Sequence, residues 1–250
     1  MKILVPIKRV PDTDQRVRVA DDMLHVETAD MPFVVNPFDA IALEEAIRIR
    51  EARSGDAEVV VIGVGGEEYE QELRTGLAMG ADRACVVRCD TELDPWNVAC
   101  ILQQMVGRES PALVLMGKQA VDDDLGQTGP FLASLLQWPQ ATFASRIELQ
   151  GEMLTVGRET DRGIETLTLP LPAVVTVDLR LNEPRYASLP SILKARQKQI
   201  EHVDVRELGV EIQPRLQVLK MESVFSQRRC QRVSNVDELL ERLKAETKIL

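Results

Sequence analysis

One stretch concentrates residues able to hold a ligand: Gly117-Lys118-Gln119-Ala120-Val121-Asp122-Asp123-Asp124-Leu125-Gly126-Gln127-Thr128-Gly129-Pro130. It leaves an apolar run with strand character and enters a helix through Thr128 or Gly129, with Pro130 preset for the first turn. Ligands of open α/β sheets sit at such strand ends, and the free N–H groups of a helix start can hold a phosphate. Asp122, Asp123 and Asp124 would repel an anion, and Lys118 offsets one of those charges. Such carboxylates accept hydrogen bonds from ribose hydroxyls or backbone N–H groups, or face solvent. Chemistry alone leaves two readings open, a nucleotide-binding loop and an Asx-rich structural loop. A second turn, Gly63-Val64-Gly65-Gly66, follows a strand and precedes a helix, but Glu68 stands where a dinucleotide fingerprint needs its third glycine.

Groups for bond-making chemistry are sparse. The two histidines, His25 and His202, stand in no recognisable arrangement, and neither a G-x-S-x-G elbow nor a Walker loop occurs. Cys85, Cys89, Cys100 and Cys230 form no C-x-x-C pair and are read as reduced thiols, mostly in the core. The net charge of −10 speaks against nucleic acid as partner. It is unevenly spread: residues 184–250 carry 13 Lys/Arg against 9 Asp/Glu, which leaves −14 on the first 183. No apolar run approaches the ~18 residues that cross a bilayer, so no membrane insertion is expected. The opening Lys2-Ile3-Leu4-Val5-Pro6-Ile7 lacks secretory and transit features and is read as the start of an intracellular chain.

The elements that must position this loop alternate strand and helix patterns, as βαβ units do. Strands are expected at Ile3–Val10, Glu58–Val64, Ala84–Val87 and Ala112–Met116, with a small hairpin over Val17–Val26. Helices are expected from Pro37 to Gly55, over Glu67–Met79 with Gly80 as stop, and over Pro95–Val106 and Pro130–Trp138. After Ala141 period-two alternation takes over, at Arg146–Leu149, Met153–Val156 and Glu165–Leu169, before one more core strand at Ala173–Asp178. From Asn182 strand content fades, apart from a last amphipathic helix over Val236–Leu250 with Leu239, Leu240, Leu243 and Ile249 on one side and a Ser234 or Asn235 cap. A helix of that kind needs a partner surface.

The loop 117–129, Trp138-Pro139-Gln140-Ala141-Thr142-Phe143-Ala144, and Asp178-Leu179-Arg180-Leu181-Asn182-Glu183-Pro184-Arg185-Tyr186-Ala187-Ser188-Leu189-Pro190 strongly resemble the β (small) subunits of electron transfer flavoproteins. Lys8-Arg9-Val10-Pro11-Asp12, Asn36-Pro37-Phe38-Asp39 and Ala78-Met79-Gly80-Ala81-Asp82-Arg83 match as well, so the resemblance covers nearly the whole chain. It implies a three-layer α/β fold with a mainly parallel, Rossmann-like sheet of the adenine nucleotide α-hydrolase kind. That nucleotide-binding domain spans residues 1–183, and residues 184–250 form an extended arm whose terminal helix packs on the α subunit. It also implies an electron carrier subunit, not an enzyme, in a heterodimer whose α subunit holds the FAD. The β subunit binds a structural AMP and docks acyl-CoA dehydrogenase-type flavoenzymes, and electrons go on to a quinone reductase. The location would be the cytoplasm of a bacterium or the mitochondrial matrix of a eukaryote.

Carried over residue by residue, the AMP contacts fall on Pro6, on Asn36, Pro37, Phe38 and Asp39, on Val64, and on Lys118, Gln119, Ala120, Val121, Asp122, Asp123, Asp124, Leu125, Gly126, Gln127, Thr128 and Gly129. The loop that recognises dehydrogenases runs from Tyr186 to Lys194, with Leu189 inserted and Pro190 holding it extended on an exposed loop. Arg158 and Glu159 match a pair near the flavin and the domain interface. Leu125-Gly126 stands where AMP-binding relatives carry a small residue and Asn, and Thr13 where some members have an aromatic residue. Bifurcating relatives place a second FAD in the same pocket, whereas Asp123 and Leu125 are more like the AMP class. The rival reading is a stand-alone nucleotide-binding α/β protein.

Overall fold

Runs of Ile, Leu and Val buried on both faces set the sheet. The computed structural model describes residues 1–15, 17–223 and 230–247. In β1 (Lys2–Pro6), Ile3 and Val5 enter one core with α1 (Pro37–Ala52) and α2 (Glu70–Met79). Leu4 enters the opposite core with α3 (Pro95–Glu109) and α4 (Thr128–Leu136). Helices therefore cover both faces, which gives the three layers expected. Two further strands, β2 (Arg9–Pro11) and β3 (Phe33–Val35), form a separate antiparallel ribbon. The main sheet continues with β4 (Glu58–Gly65), β5 (Arg83–Arg88), β6 (Leu113–Gly117), β7 (Gln140–Gln150), β8 (Met153–Thr160), β9 (Gly163–Pro170), β10 (Ala173–Val177) and, beyond α5 (Leu189–Gln197), β11 (Ile200–Asp204). Its order is β11-β5-β4-β1-β6-β10-β7-β8-β9. The pairs up to β7 are parallel, and β7-β8-β9 is an antiparallel extension. The chain winds outward from β1 to β4 and β5, then restarts on the other side at β6, so the order reverses between β1 and β6.

Three expectations need correction. The strand placed at Ile3–Val10 stops at Pro6, because the N–H of Lys8 turns away to the Asp39 carboxylate (2.9 Å) and β2 then pairs with β3. Only one bridge, Val19 to Val26, forms where a hairpin was expected. Strand content does not end at Asn182, since beyond α5, itself not expected, β11 pairs in parallel with β5. Its Glu201, His202 and Asp204 suit an edge strand, where charge blocks further pairing.

The described residues divide into two compact units, Met1–Val17 with Glu27–Val218, and Arg18–Val26 with Leu219–Leu250. Residues 184–218, expected in the arm, thus pack within the first unit. In the second, α6 (Val236–Thr247) is capped twice: Asn235 Oδ1 accepts from the N–H of Glu238 (2.9 Å), and Glu238 accepts from the N–H of Ser234 (2.8 Å). Ile249 lies outside the described residues.

Candidate functional site

At the reversal between β1 and β6, the carboxyl ends of β1, β4 and β6 open onto a cleft of about 510 Å³, within the range of small-molecule sites. Its floor is a cross-link between three chain segments. Asp39, in the first turn of α1, accepts from the N–H of Lys8 (2.9 Å) at the end of β1 and from the N–H of Gly117 (2.8 Å) at the end of β6. Gly117 is required there, because a Cβ would stand 2.5 Å from Asp39 Oδ1 and 2.6 Å from Phe38 Cβ. Burial drives the Asp39 carboxyl up to about 6, against the pull of its two N–H donors.

Asn36 precedes α1 yet makes no side-chain cap on it. It is 1% exposed. Its Nδ2 donates to the carbonyl of Gln119 (2.9 Å) and its Oδ1 accepts from the N–H of Val121 (3.3 Å), which fastens the 118–129 loop to the floor. The loop also holds itself. Gln119 Nε2 donates to Asp124 (2.7 Å), and Asp123 accepts from the N–H of Leu125 (3.1 Å). Asp124 and Gly126 take left-handed φ values of 52° and 62° where the loop reverses toward α4. Gly129 lets α4 sit against β10, since a Cβ would come 2.4 Å from Thr176 Cγ2.

The charge balance differs from the sequence reading. Lys118 Nζ is held by Asp178 (2.7 Å) and lies 4.9 Å from the Phe143 ring centre, so its charge is spent beside the loop. The counter-charge is Lys8, whose Nζ lies 2.8 Å from Asp122 and 2.9 Å from Asp123. Burial lowers the Lys8 ammonium, but the hydrogen bonds to both aspartates outweigh it and the net direction is up. For Asp178 burial raises the carboxyl, but the bond from Lys118 and its neighbours leave it below the usual range.

Of the residues expected here, Pro6, Asn36, Asp39, Val64, Lys118, Gln119, Ala120, Asp123, Leu125, Gly126, Gln127, Thr128 and Gly129 line the cleft. Pro37, Phe38, Val121, Asp122 and Asp124 do not line it. Phe38 is buried in the core, and Asp122 faces Lys8. The opposite wall begins at Gly65 and Gly66, in the turn the sequence singles out, but sequence reasoning missed its continuation through Tyr69 and the Cys89–Leu93 loop, with Val98 and Leu102 behind. The signal was available at Asp94-Pro95, where Asp94 accepts from the N–H of Asn97 (2.8 Å) and caps α3, so the preceding loop must turn at a strand end.

A family profile described as the electron transfer flavoprotein domain matches residues 23–208. Over its full length the chain is 48% identical to the electron transfer flavoprotein subunit beta of Bradyrhizobium diazoefficiens, with all of both chains covered. The chain belongs to the electron transfer flavoprotein β-subunit family. The mitochondrial β subunit of Oryza sativa subsp. indica is 50% identical with both chains fully covered, and that of Homo sapiens is 44% identical over 98% of this chain and 97% of its own.

The remaining positions carried over from electron transfer flavoprotein β subunits lie away from the cleft. Tyr186 is 99% and Leu189 69% exposed, and Pro190 and Lys194 are exposed too. The expected Tyr186–Lys194 loop is partly helix. Leu189 is not in an extended segment but is the first residue of α5, because Ser188 caps that helix by accepting from the N–H of Ser191 (3.3 Å) and Pro190 suits its first turn. Arg158 and Glu159 sit on β8. Arg158 donates to the carbonyl (3.1 Å) and hydroxyl (2.9 Å) of Thr142, and Glu159 pairs with Arg180 (2.8 Å). Cys85 and Cys89 are buried, Cys100 is half-buried and Cys230 exposed, all as free thiols. Burial pushes the Cys85 thiol up to about 12. Among the described residues no group of three or more His, Cys, Asp or Glu could hold a metal ion, and no helix is long and apolar enough to cross a membrane.

Proposed function

We propose that this chain forms a heterodimer with an electron transfer flavoprotein α subunit, holds AMP in the cleft as a structural ligand, and docks acyl-CoA dehydrogenase-type flavoenzymes. Electrons then pass through FAD held mainly by the α subunit to a quinone reductase. The observation that carries the AMP assignment is the pairing of Lys8 with Asp122 and Asp123 beside the start of α4. Lys8 offsets one of those two charges and draws both carboxylates onto itself, while the N–H groups at Thr128 and Gly129 favour a phosphate and the helix dipole adds to the attraction. Asp123, on the cleft wall, suits ribose hydroxyls as an acceptor, and Leu93, Val98 and Met116 offer apolar surface to a base. The residues present therefore fit a nucleoside monophosphate.

FAD, when bound by the partner subunit, supplies the electron-accepting ring. This chain's part is to bind, orient and dock. Arg158 and Glu159 belong at the subunit boundary near that ring, and Tyr186, Leu189, Pro190 and Lys194 form the docking contact. The bacterial and mitochondrial relatives favour the bacterial cytoplasm or the mitochondrial matrix.

The test is a nucleotide-stripped complex. A ligand bound only by the folded state stabilises it by roughly 2.7 kcal/mol at a hundredfold excess over Kd, so AMP should raise the unfolding temperature and leave the flavin spectrum unchanged. The chain expressed alone should be colourless. A yellow species with stoichiometric FAD from this chain alone, or a thermal shift with FAD and none with AMP, would overturn the assignment in favour of a second flavin.

A further inference from the structure

Residues 186–194 are held only lightly by packing, with Ala187 half-buried against the core. Tyr186, Leu189, Ile192 and Leu193 are exposed, and in α5 only Ala195 is buried. The segment is held by polar clamps at its two ends instead. At the exit, Arg74 donates to the carbonyls of Ala195 (3.1 Å) and Arg196 (3.3 Å), and Lys198 Nζ donates to the carbonyl of Ala81 (2.8 Å).

The entry clamp is stronger. Glu44, 2% exposed in the middle of α1, receives four donors. Its Oε2 accepts from Arg185 Nε (2.8 Å) and from the Arg185 backbone N–H (3.1 Å), while its Oε1 accepts from Arg185 Nη2 (3.0 Å) and Arg48 Nε (2.8 Å). The outer side of the same guanidinium grips Glu51 at 2.7 and 3.1 Å. Beside it on α1, Asn182 Nδ2 donates to Glu45 (3.0 Å) and, a turn earlier, to the carbonyl of Ile41 (3.2 Å). A planar fork shared by two carboxylates fixes orientation in a way that a lysine cannot. A buried ion pair adds little net stability compared with apolar side chains of similar size. What this pair does supply is direction: the residue after Arg185 is Tyr186, whose side chain is fully exposed.

We propose that the Glu44–Arg185 pair is a positioning element that sets the pose of segment 186–194 for its partner flavoenzyme, with Glu51 and Asn182 in support. The proposal rests on the docking role given above to Tyr186 and Leu189. Both clamps of the segment end on α1, α2 and the turn after α2, so the pose is referred to the rigid sheet rather than to the partner.

The test uses the complex with the α subunit and the variants Arg185→Lys, Glu44→Gln and Leu189→Ala. Hydrogen exchange is read at amides 186–194 and across α1 and the sheet, together with KM and kcat for electron transfer from an acyl-CoA dehydrogenase. Arg185→Lys and Glu44→Gln should speed exchange at 186–194 by about tenfold, a local opening that leaves the sheet protected. KM for the dehydrogenase should rise by about five- to tenfold with kcat, flavin content and reduction by dithionite nearly unchanged. Unchanged exchange at 186–194 in both variants overturns the clamp. Faster exchange without a rise in KM, where Leu189→Ala does raise KM, overturns positioning while docking stands. No effect of Leu189→Ala on KM overturns docking and the proposal with it. Loss of protection across α1 and the sheet in both variants makes the pair a general stability element, which also overturns it.

Discussion

The loop 118–129 and the segment 182–198, which contains α5, are both rich in charge, yet the chain holds them in opposite ways. In the loop the charges turn inward on the protein: Lys8 takes Asp122 and Asp123, Asp178 takes Lys118, and Gln119 takes Asp124. What faces the cleft is backbone together with side chains already paired, Lys8, Lys118, Gln119 and Asp123. In the segment the charges secure the two ends, at Arg185 and Lys198, and the middle projects apolar side chains. A concave site is made by satisfying charges along the back of a loop, and a convex one by anchoring its ends. The two should therefore respond differently to substitution.

Asp39 tests the concave side most severely. Its carboxyl rises from 3.8 to about 6 in the folded chain, with burial as the main cause. The native state then binds more protons than the unfolded state between about pH 4 and 6, so the contribution is present below about pH 4 and is lost as pH rises through 6. The upper limit is about 3 kcal/mol. Against Asp39→Asn, which cannot titrate, urea unfolding should show the native chain losing relative stability between about pH 4 and 6 and holding a constant difference above about 7. A constant difference across the lower window would mean that Asp39 titrates as an ordinary aspartate.

Gly129→Ala comes next. The new Cβ meets Thr176 Cγ2 at 2.4 Å, so α4 must shift away from β10. Such overpacking costs roughly 1–3 kcal/mol, and the AMP-dependent thermal shift should shrink along with the melting temperature. An unchanged melting temperature and shift would show that the start of α4 is not a fixed wall of the cleft.

On the convex side, Leu189→Ala should slow electron transfer from an acyl-CoA dehydrogenase by more than about tenfold, as an anchor worth ~2 kcal/mol would. Melting temperature and flavin content should hardly move, because the side chain is exposed. A fall of several degrees with proportionate loss of activity would place Leu189 in the core and erase the contrast between the two regions.

Much of this arrangement was legible in the sequence. Continuous Val and Ile runs marked β4 and β10, and Asn36-Pro37-Phe38-Asp39 marked the start of α1, because strand burial and helix entry leave local patterns. The near wall of the cleft followed from a strand end meeting a helix start. What stayed hidden is made through space. Lys8 meets Asp122 across 114 residues, and no periodicity records that. Asn36 has the type and place of a helix cap, but its amide is used on Gln119 and Val121 instead. β11 escaped because an edge strand carrying Glu201, His202 and Asp204 has the composition of a loop. The clamp at Glu44 was invisible for the opposite reason: a glutamate in a helix reads as a solvated face unless its distant arginine is known.

The position of β1 in the sheet also governs the order in which the chain can assemble. Ile3 pairs with Val59 on one side and with Leu113 on the other, so the first strand to be synthesised needs two neighbours encoded much later. At ~5–20 residues per second the second neighbour arrives on the order of 10 s after the first strand. Until β4 is made Ile3 and Leu4 have no partner, from then until β6 they have one on one edge only, and contacts so far apart in sequence are slow to close. The half-sheet of β1, β4 and β5 can form first. The floor at Asp39 and Gly117 comes together only when the strand restarting on the other side has arrived, which makes the cleft a late product of folding.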